Sequence, residues 1–367
     1  MLASVLKHLE VLVSHDTRNP PRAISTGGIF DYIRNQLPGF NVEVIDHGAG
    51  AVSLFAVRGN PKRVFNVHLD TVPASPAWTA DPLILRVTAD RAIGLGACDI
   101  KGAAAGLIAA AQVTQGDAAF LFSSDEEAND PRCIAAFLKK NALARDHGFS
   151  EAIIAEPTQG QAVLAHRGIS AVRMAFKGQA GHASAENALS LSAVHNAMRW
   201  GTGALDYVAS QHHLRFGGLK GLRFNIGRVE GGIKANMIAP SAEVRFGFRP
   251  LPSQDMDELH AQFRGMANAD ALAEYEETFR GPSLPSGDVA RAEERRLAAR
   301  DLADELNVAV GNAVDFWTEA SLFSDAGLTA LVYGPGDIAQ AHAADEWVSL
   351  EQLQGYAETV QRIFGQN

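Results

Sequence analysis

The sequence predicts an α/β fold with a mostly parallel central sheet, and three observations support it. Short apolar runs at 118–122, 152–155 and 329–333 have the length and composition of strands buried on both faces. Helical patterns alternate with these runs, as they do in parallel sheets. Each run leads directly into polar or glycine-rich residues, namely SSDEE, EPT and GPGD. Because open α/β sheets place ligands beyond the carboxyl ends of their strands, we expect the functional site there.

The other elements of this predicted domain follow from apolar spacing. In chain order we expect helices over 2–14 and 26–37, strands over 42–46, 52–57 and 64–70, a hairpin, a helix over 103–113, and helices over 290–306 and 350–364. The alanine-rich segment 103–113 also has high intrinsic helix propensity.

A second, inserted domain is indicated by a change of rhythm after residue 167. The pattern predicts strand 169–177, helix 189–210, strands 222–229 and 241–250, helix 255–268 and strand 273–279. This βαββαβ order is the ferredoxin-like pattern. A chain of 367 residues also exceeds the size at which a single core stops growing. We therefore predict a discontinuous catalytic domain, 1–167 and 279–367, and an inserted lid or dimerisation domain, 168–278.

The composition is ordinary for a soluble globular protein, with 47% hydrophobic and 20% charged residues. A net charge of −10 argues against nucleic acid or an anionic membrane as a partner, because both require a basic surface. No apolar run approaches the roughly 18 residues of a membrane span, and the amphipathic segment 2–14 is unlike a signal peptide. The two cysteines, Cys98 and Cys133, are too few for a disulfide framework. These features predict a cytoplasmic protein.

The sequence VFNVHLD contains a possible metal ligand with its own carboxylate partner. In a strand, His68 and Asp70 point to the same face. An imidazole that binds a metal usually donates its other ring nitrogen to such a partner. Taken alone, the motif is more often a polar strand end.

Three consecutive acidic residues, Asp125 to Glu127, favour a metal site. Buried like charges disfavour one another, so a cation is expected among them. Asp99, Glu156 and His342 occupy comparable strand ends or glycine-rich turns. Carboxylate and imidazole without thiolate suit zinc, cobalt or manganese. Cys98 should point away from its neighbour Asp99, because adjacent side chains of an extended segment alternate.

Seven motifs together give a specific resemblance. HLDTVP, GLGACDIKG, SSDEE, AEPT, GQAGHAS, GFRPLP and GPGDIAQAH occur in the order and spacing of the M20 metallopeptidase family, and the chain resembles its acetylornithine deacetylase branch. The resemblance implies a hydrolase that removes acetyl from an N-acetyl-L-amino acid, N-acetyl-L-citrulline or N-acetyl-L-ornithine, in arginine biosynthesis. The sequence departs from that branch after the lid histidine, with ASAEN in place of SSDP, which leaves the side-chain preference open.

The resemblance also implies two divalent metal ions per chain, zinc or cobalt. In the family pattern Asp99 bridges both ions, His68 and Glu156 complete one site, and Glu127 and His342 complete the other. Glu126 matches the general base of the family. Asp70 matches the partner of the first histidine. The histidines outside the motifs are predicted to be structural or exposed: His8, His15, His47, His147, His166, His195, His212, His213 and His260.

Further roles implied by the resemblance concern substrate and subunit contacts. His182 matches a histidine that reaches the active site of the partner in a homodimer and stabilises an oxyanion. Asn236 and Arg249 match substrate contacts, and Arg249 would clamp the α-carboxylate. Arg167 is a second candidate for that clamp. Thr318 is a candidate for the acyl side of the pocket, and Glu319 either lines the pocket or supports a ligand.

Two other functions stay open at this point. One is a succinyl-diaminopimelate desuccinylase or a dipeptidase of the same family. The other is a non-catalytic, metal-dependent binding protein. Glu126 argues against the second, because holding a metal needs Glu127 but not the adjacent proton carrier.

Overall fold

The computed structural model describes residues 1–143 and 148–365. They form two compact units, the first comprising 1–164, 294–311 and 318–367 and the second comprising 165–293 and 312–317. The second unit is longer than the predicted insertion, 168–278, because it also takes up the flanking chain and a short return. His147 lies outside the described residues.

The bounds of the elements are as follows. The strands are β1 (Asn41–Asp46), β2 (Val52–Arg58), β3 (Arg63–His68), β4 (Arg86–Val87), β5 (Arg91–Ile93), β6 (Ala118–Ser123), β7 (Glu151–Ile154), β8 (Ile169–Lys177), β9 (Arg215–Phe216), β10 (Leu219–Lys220), β11 (Arg223–Gly231), β12 (Ser241–Arg249), β13 (Leu272–Gly281), β14 (Thr329–Val332) and β15 (Trp347–Ser349). The helices are α1 (Leu2–Ser14), α2 (Ile29–Gln36), α3 (Gly102–Val113), α4 (Arg132–Leu143), α5 (Ala188–Leu191), α6 (Ala193–Ser210), α7 (Met256–Gly265), α8 (Ala292–Glu305), α9 (Ala320–Asp325) and α10 (Leu350–Gly365).

The first unit is built on a six-stranded sheet in the order β1-β2-β6-β3-β7-β14. Strands β6, β3, β7 and β14 are parallel, whereas β2 is antiparallel to β6 and β1 to β2. All residues of β3 and β6 are buried, as expected for strands in the interior of a parallel sheet. The predicted α/β class is confirmed, and the four parallel strands end at one edge of the sheet.

Helices α1, α3 and α10 contact one another and share one buried hydrophobic core with this sheet. Helix α3 is buried from Gly102 to Ala111, so its alanines serve close packing as well as helix propensity. A Cβ atom at Gly106 would lie 2.8 Å from the Tyr356 ring, which explains the absence of a side chain there. No helix in the described part of the chain is long and apolar enough to cross a membrane.

The second unit contains a four-stranded antiparallel sheet in the order β11-β12-β8-β13. With helices α6 and α7 the chain order is βαββαβ, and this spatial order is that of the ferredoxin-like pattern. Trp200 of α6 and Phe263 of α7 pack against Phe246 of β12. The helices therefore cover one face of this sheet.

Several local features differ from the sequence predictions. The strand predicted over 64–70 ends at His68, and the helix predicted over 189–210 is divided at Ser192, whose hydroxyl accepts the His195 N–H. Helix α4, strands β9 and β10, and the pairing of β15 with the β4–β5 hairpin were not predicted.

Candidate metal centre

The first group of possible metal ligands lies at the carboxyl edge of the central sheet. His68 ends β3, and Glu156 follows β7, the neighbouring parallel strand. The Nε2 atom of His68 is 3.1 Å from Oδ1 of Asp99 and 4.0 Å from Oε1 of Glu156. All three residues are buried, and their donor atoms lie within 4.8 Å of one another. We call this group the sheet triad.

A second group shares Asp99. The Nε2 atom of His342 lies 3.1 Å from Oε1 of Glu127 and 3.4 Å from Oδ2 of Asp99. Asp99 therefore turns one carboxylate oxygen to each histidine. Asp99, Glu127 and His342, which we call the loop triad, also have donor atoms within 4.8 Å of one another. The structure thus brings together all five predicted metal ligands.

The donor set fits two divalent cations. Burial raises the pKa of Glu126 and Glu156 well above the ordinary value, and repulsion from neighbouring carboxylates adds to this effect. Hydrogen bonds from His342 and His68 outweigh burial and lower the pKa of Asp99. Hydrogen bonds to Asp99 and Glu127 raise the pKa of His342 to about 10. In the metal-free protein, bound protons therefore reduce the repulsion between the carboxylates of the cluster. Divalent cations that accept nitrogen and oxygen ligands can replace these protons.

The partner of His68 differs in detail from the prediction. Because β3 ends at His68, Asp70 lies beyond the regular alternation of the strand. The Nδ1 atom of His68 is 3.0 Å from the main-chain oxygen of Asp70 and 3.6 Å from its Oδ1. The carbonyl is therefore the closer acceptor. The other carboxylate oxygen of Asp70 accepts N–H groups from Asn19 and from the Glu127 backbone, each at 3.0 Å.

Glu126 lies beside both triads. Its carboxylate is within 4.8 Å of donor atoms of His68 and Glu127. Among the described residues, no hydrogen bond to the Glu126 carboxylate is found. Its pKa is raised, chiefly by burial. A carboxylate that is unpaired and inclined to hold a proton suits the general base and acid role implied by the family resemblance.

Thr318 and Glu319 are buried residues of the first unit. The hydroxyl of Thr318, a fully buried residue, accepts the Ala320 N–H at 3.2 Å. One carboxylate oxygen of Glu319 accepts the Asn66 amide at 2.7 Å and the Ser123 hydroxyl at 3.4 Å. Burial raises the pKa of Glu319 to about 8. These contacts give Glu319 a supporting position, whereas substrate contact by Thr318 stays a prediction.

Cys98 belongs to none of the possible ligand groups among the described residues. Its sulfur faces the Asp337 carbonyl oxygen at 3.4 Å. Burial raises the pKa of the thiol, so a thiolate ligand is not favoured.

His182 and Asn236 lie beside each other in the second unit. The Nδ1 atom of exposed His182 accepts the Ser184 N–H at 3.3 Å, so the proton of a neutral ring is on Nε2. The Ala183 N–H donates to the Asn236 carbonyl oxygen at 3.1 Å. His182 can therefore present an N–H donor outward from this loop pair.

The two candidate arginines have different surroundings in the same unit. Arg167 is fully buried and donates to the Asp315 carboxylate and to the carbonyl oxygens of Lys220 and Gly221. The Arg249 guanidinium is half-buried and has no hydrogen bond to the described residues. Arg249 therefore keeps donors for an anion, whereas those of Arg167 are engaged.

The fold and the two triads are those of a metallohydrolase with a paired metal centre. Residues 64–366 match peptidase family M20/M25/M40, and because this range covers most of the chain, the protein belongs to that family.

Two relatives extend the similarity to particular enzymes. The chain is 71% identical over 364 residues to N-acetyl-L-citrulline deacetylase of Xanthomonas campestris pv. campestris, covering 99% of this chain and 98% of the relative. It is 28% identical over 355 residues to acetylornithine deacetylase of Salmonella arizonae, covering 89% of this chain and 86% of the relative.

Solved structures show the same fold. Aminopeptidase PepT from Bacillus cereus has a TM-score of 0.73 at 18% identity, covering 100% of this chain and 98% of its own. A dinuclear metal-binding M20 peptidase from Bacillus subtilis has a TM-score of 0.68 at 16% identity, covering 99% and 98%.

Proposed function

We propose that the protein removes the acetyl group from N-acetyl-L-citrulline, giving acetate and L-citrulline, in cytoplasmic arginine biosynthesis. The observation that carries this proposal is the 71% identity across 364 residues to an N-acetyl-L-citrulline deacetylase. The complete set of ligand candidates around Asp99 supports a hydrolytic centre. It also argues against a protein that has only kept the fold.

The proposed centre holds two divalent ions, zinc or cobalt. His68, Asp99 and Glu156 would hold one, and Asp99, Glu127 and His342 the other. When bound, such ions supply Lewis acidity that polarises an acyl group and lowers the pKa of water. Glu126 then takes a proton from the attacking water and delivers it to the departing amine, so that the amide bond is replaced by acetate and a free amino group.

Substrate binding is assigned to the second unit. Arg249 would hold the α-carboxylate through the planar fork of its guanidinium. Asn236 would contact the substrate, and His182 would donate from Nε2 to the oxyanion. Arg167 is a weaker candidate, because its donors already bind neighbouring groups.

The proposed active site is shared across a homodimer. Strand β11 is at one edge of its sheet, where unpaired backbone groups favour association with another chain. Large apolar side chains are exposed on α6 and around the end of β11: Met198, Leu205, Val229 and Ile233. This surface suits a two-fold contact that would bring His182 to the metal centre of the partner.

A panel of substrates tests the proposed activity. We expect protein loaded with Zn²⁺ or Co²⁺ to show its highest kcat/KM on N-acetyl-L-citrulline, above N-acetyl-L-ornithine, N-succinyl-diaminopimelate and a dipeptide. Glu126→Gln is the matched control, because it should keep both metals and lose about 10²–10⁴-fold in turnover. Metal-replete protein that hydrolyses none of these compounds would support the binding-protein alternative.

N-acetyl-L-ornithine is the second candidate substrate, favoured by the 28% identical relative. The ornithine ammonium needs an acidic partner, whereas the neutral ureido group of citrulline needs paired donors and acceptors. If kcat/KM for N-acetyl-L-ornithine is the higher of the two, the citrulline assignment is wrong although the deacetylase assignment stands.

Mixed dimers test the trans role of His182. Glu126→Gln and His182→Ala chains, each inactive alone, are unfolded and refolded together. If association is random, about half of the dimers are mixed and about a quarter of all sites are intact, so about a quarter of the activity should return. A mixture of Glu126→Gln and Asp99→Ala is the control, because both changes lie in the first unit and no intact site can form. Mixed dimers without activity would exclude action in trans.

A further inference from the structure

Glu346 is a buried carboxylate that the proposed chemistry does not use. It is 2% exposed, and its two side-chain oxygens accept three main-chain N–H groups. Oε2 accepts from Gly96 at 3.0 Å, and Oε1 accepts from Cys98 at 2.8 Å and from Asp99 at 2.9 Å. Such charge-assisted bonds are among the strong ones in proteins.

The segment that Glu346 holds is the turn between β5 and α3, which carries Asp99. Its backbone is irregular, with Gly96 at φ +77° and Asp99 at φ −123°, ψ 87°. The Gly94 N–H also donates to the main-chain oxygen of Glu346, at 3.0 Å. Because Asp99 does not lie in a regular helix or strand, these hydrogen bonds fix the position and direction of its backbone.

Asp99 is the one residue that the two triads share, one oxygen to each histidine. A shift of its backbone would therefore disturb both groups. Glu346 also follows His342 by four residues, and Asp345 between them accepts hydrogen bonds from Thr79 and Arg86. One short segment thus supplies a ligand to the loop triad and supports the ligand common to both triads.

We infer that Glu346 is a positioning residue that places Asp99 between the two metal sites and so sets the affinity of both. This inference rests on the proposed metal centre, but it does not depend on the identity of the substrate. Residues that orient metal ligands typically change metal affinity or activity by about 10–100-fold when they are replaced.

The test is a titration of metal-free protein with Co²⁺ alone, followed by the absorption spectrum of the bound ion. In Glu346→Gln, an amide NH₂ replaces one carboxylate oxygen and faces at least one of the three N–H donors, so the turn must shift. We expect both binding steps to weaken about tenfold and the cobalt spectrum to change. Glu351→Gln, at an exposed position in the first turn of α10, is the matched control and should change neither.

A second variant keeps the test decisive. Glu346→Met has a similar volume and no acceptor, so we expect a weakening of about 100-fold in both steps. If it does not fold, Glu346→Gln alone decides. Two steps that both stay within about threefold of wild type, with an unchanged spectrum, would overturn the inference, as would weakening of only one step. A lowered melting temperature with normal Co²⁺ binding would show a merely structural role. Because no substrate is used, a failure of the proposed deacetylation would be seen separately.

Discussion

The sheet triad and the loop triad use similar chemical groups in different settings. His68 is 2% exposed and ends a central strand, whereas the His342 side chain is 53% exposed and lies on a loop. His342 also has a left-handed backbone, with φ at 58°. The sheet triad thus takes its histidine from the end of a buried strand, and the loop triad takes its histidine from an exposed loop.

This contrast suggests a division of roles between the two proposed metal sites. A buried ligand at the end of a strand, such as His68, is held in place before a metal arrives, whereas an exposed ligand on a loop, such as His342, must be ordered by the metal. We therefore expect the sheet triad to hold its metal more tightly and the loop triad to exchange metal more readily. Four experiments test this difference, from the largest expected effect to the smallest.

Asp99→Ala should abolish the difference in metal affinity between the two triads, because it removes the ligand that they share. Loss of a direct ligand should exceed the roughly 10–100-fold effect typical of an outer-shell change, in metal affinity at both sites and in turnover. Elemental analysis after dialysis should find neither metal. Two metals per chain in a folded variant would refute the bridging role.

Separate changes of the histidines should distinguish the two triads. His342→Ala should lose one metal and keep the other. His68→Ala leaves buried carboxylates without their cationic partner in the metal-free protein, a change that typically destabilises by about 3–5 kcal/mol. Metal content and denaturant unfolding measure these effects. Equal loss of stability in both variants would mean that the difference in burial between His68 and His342 does not affect the free energy of unfolding.

The pH dependence of stability in metal-free protein should report on the loop triad. Hydrogen bonds to Asp99 and Glu127 raise the pKa of His342 from 6.5 to about 10. The folded protein therefore keeps a proton that the unfolded chain releases, and this stabilisation is complete below pH 6.5 and lost as the pH rises towards 10. In chelator, the melting temperature of wild type should fall across this interval more than that of His342→Gln. Parallel declines would contradict this assignment.

Cys98→Ala should have the smallest effect. Because the thiol faces a carbonyl oxygen and belongs to neither triad, both metals should be retained and turnover should stay within about twofold. Removing the buried sulfur should destabilise by about 1 kcal/mol. A missing metal in this variant would show that the sulfur is a ligand after all.

The fold and the ligand candidates were largely readable because their signals are local. The continuous apolar runs of β6, β7 and β14 indicated a parallel sheet, and polar residues at strand ends indicated where a site would form. The family resemblance then supplied the roles of the individual ligands, which spacing alone could not give.

What the sequence did not predict depends on contacts between distant segments. Strand β15 has three residues, and Glu346 beside it acquires meaning only when it meets the turn of Asp99. Arg167 and Arg249 were both candidates for binding the α-carboxylate of the substrate. No sequence pattern shows that the donors of Arg167 bind the carbonyl oxygens of Lys220 and Gly221. Because β3 ends at His68, the main-chain oxygen of Asp70 is closer to His68 Nδ1 than the Asp70 carboxylate that the sequence led us to expect.

The position of β14 has a consequence for the order of folding. It pairs with β7 although residues 155–328 lie between them, whereas the ligands of the sheet triad come from 68–156. Pairing across a long segment requires closure of a large loop and is slow. We therefore expect backbone amides of β3 and β6 to become protected from pulsed hydrogen exchange during refolding before those of β14, and simultaneous protection would contradict this order. Since His342 follows β14, a newly made chain would contain every ligand of the sheet triad before it contains the last ligand of the loop triad.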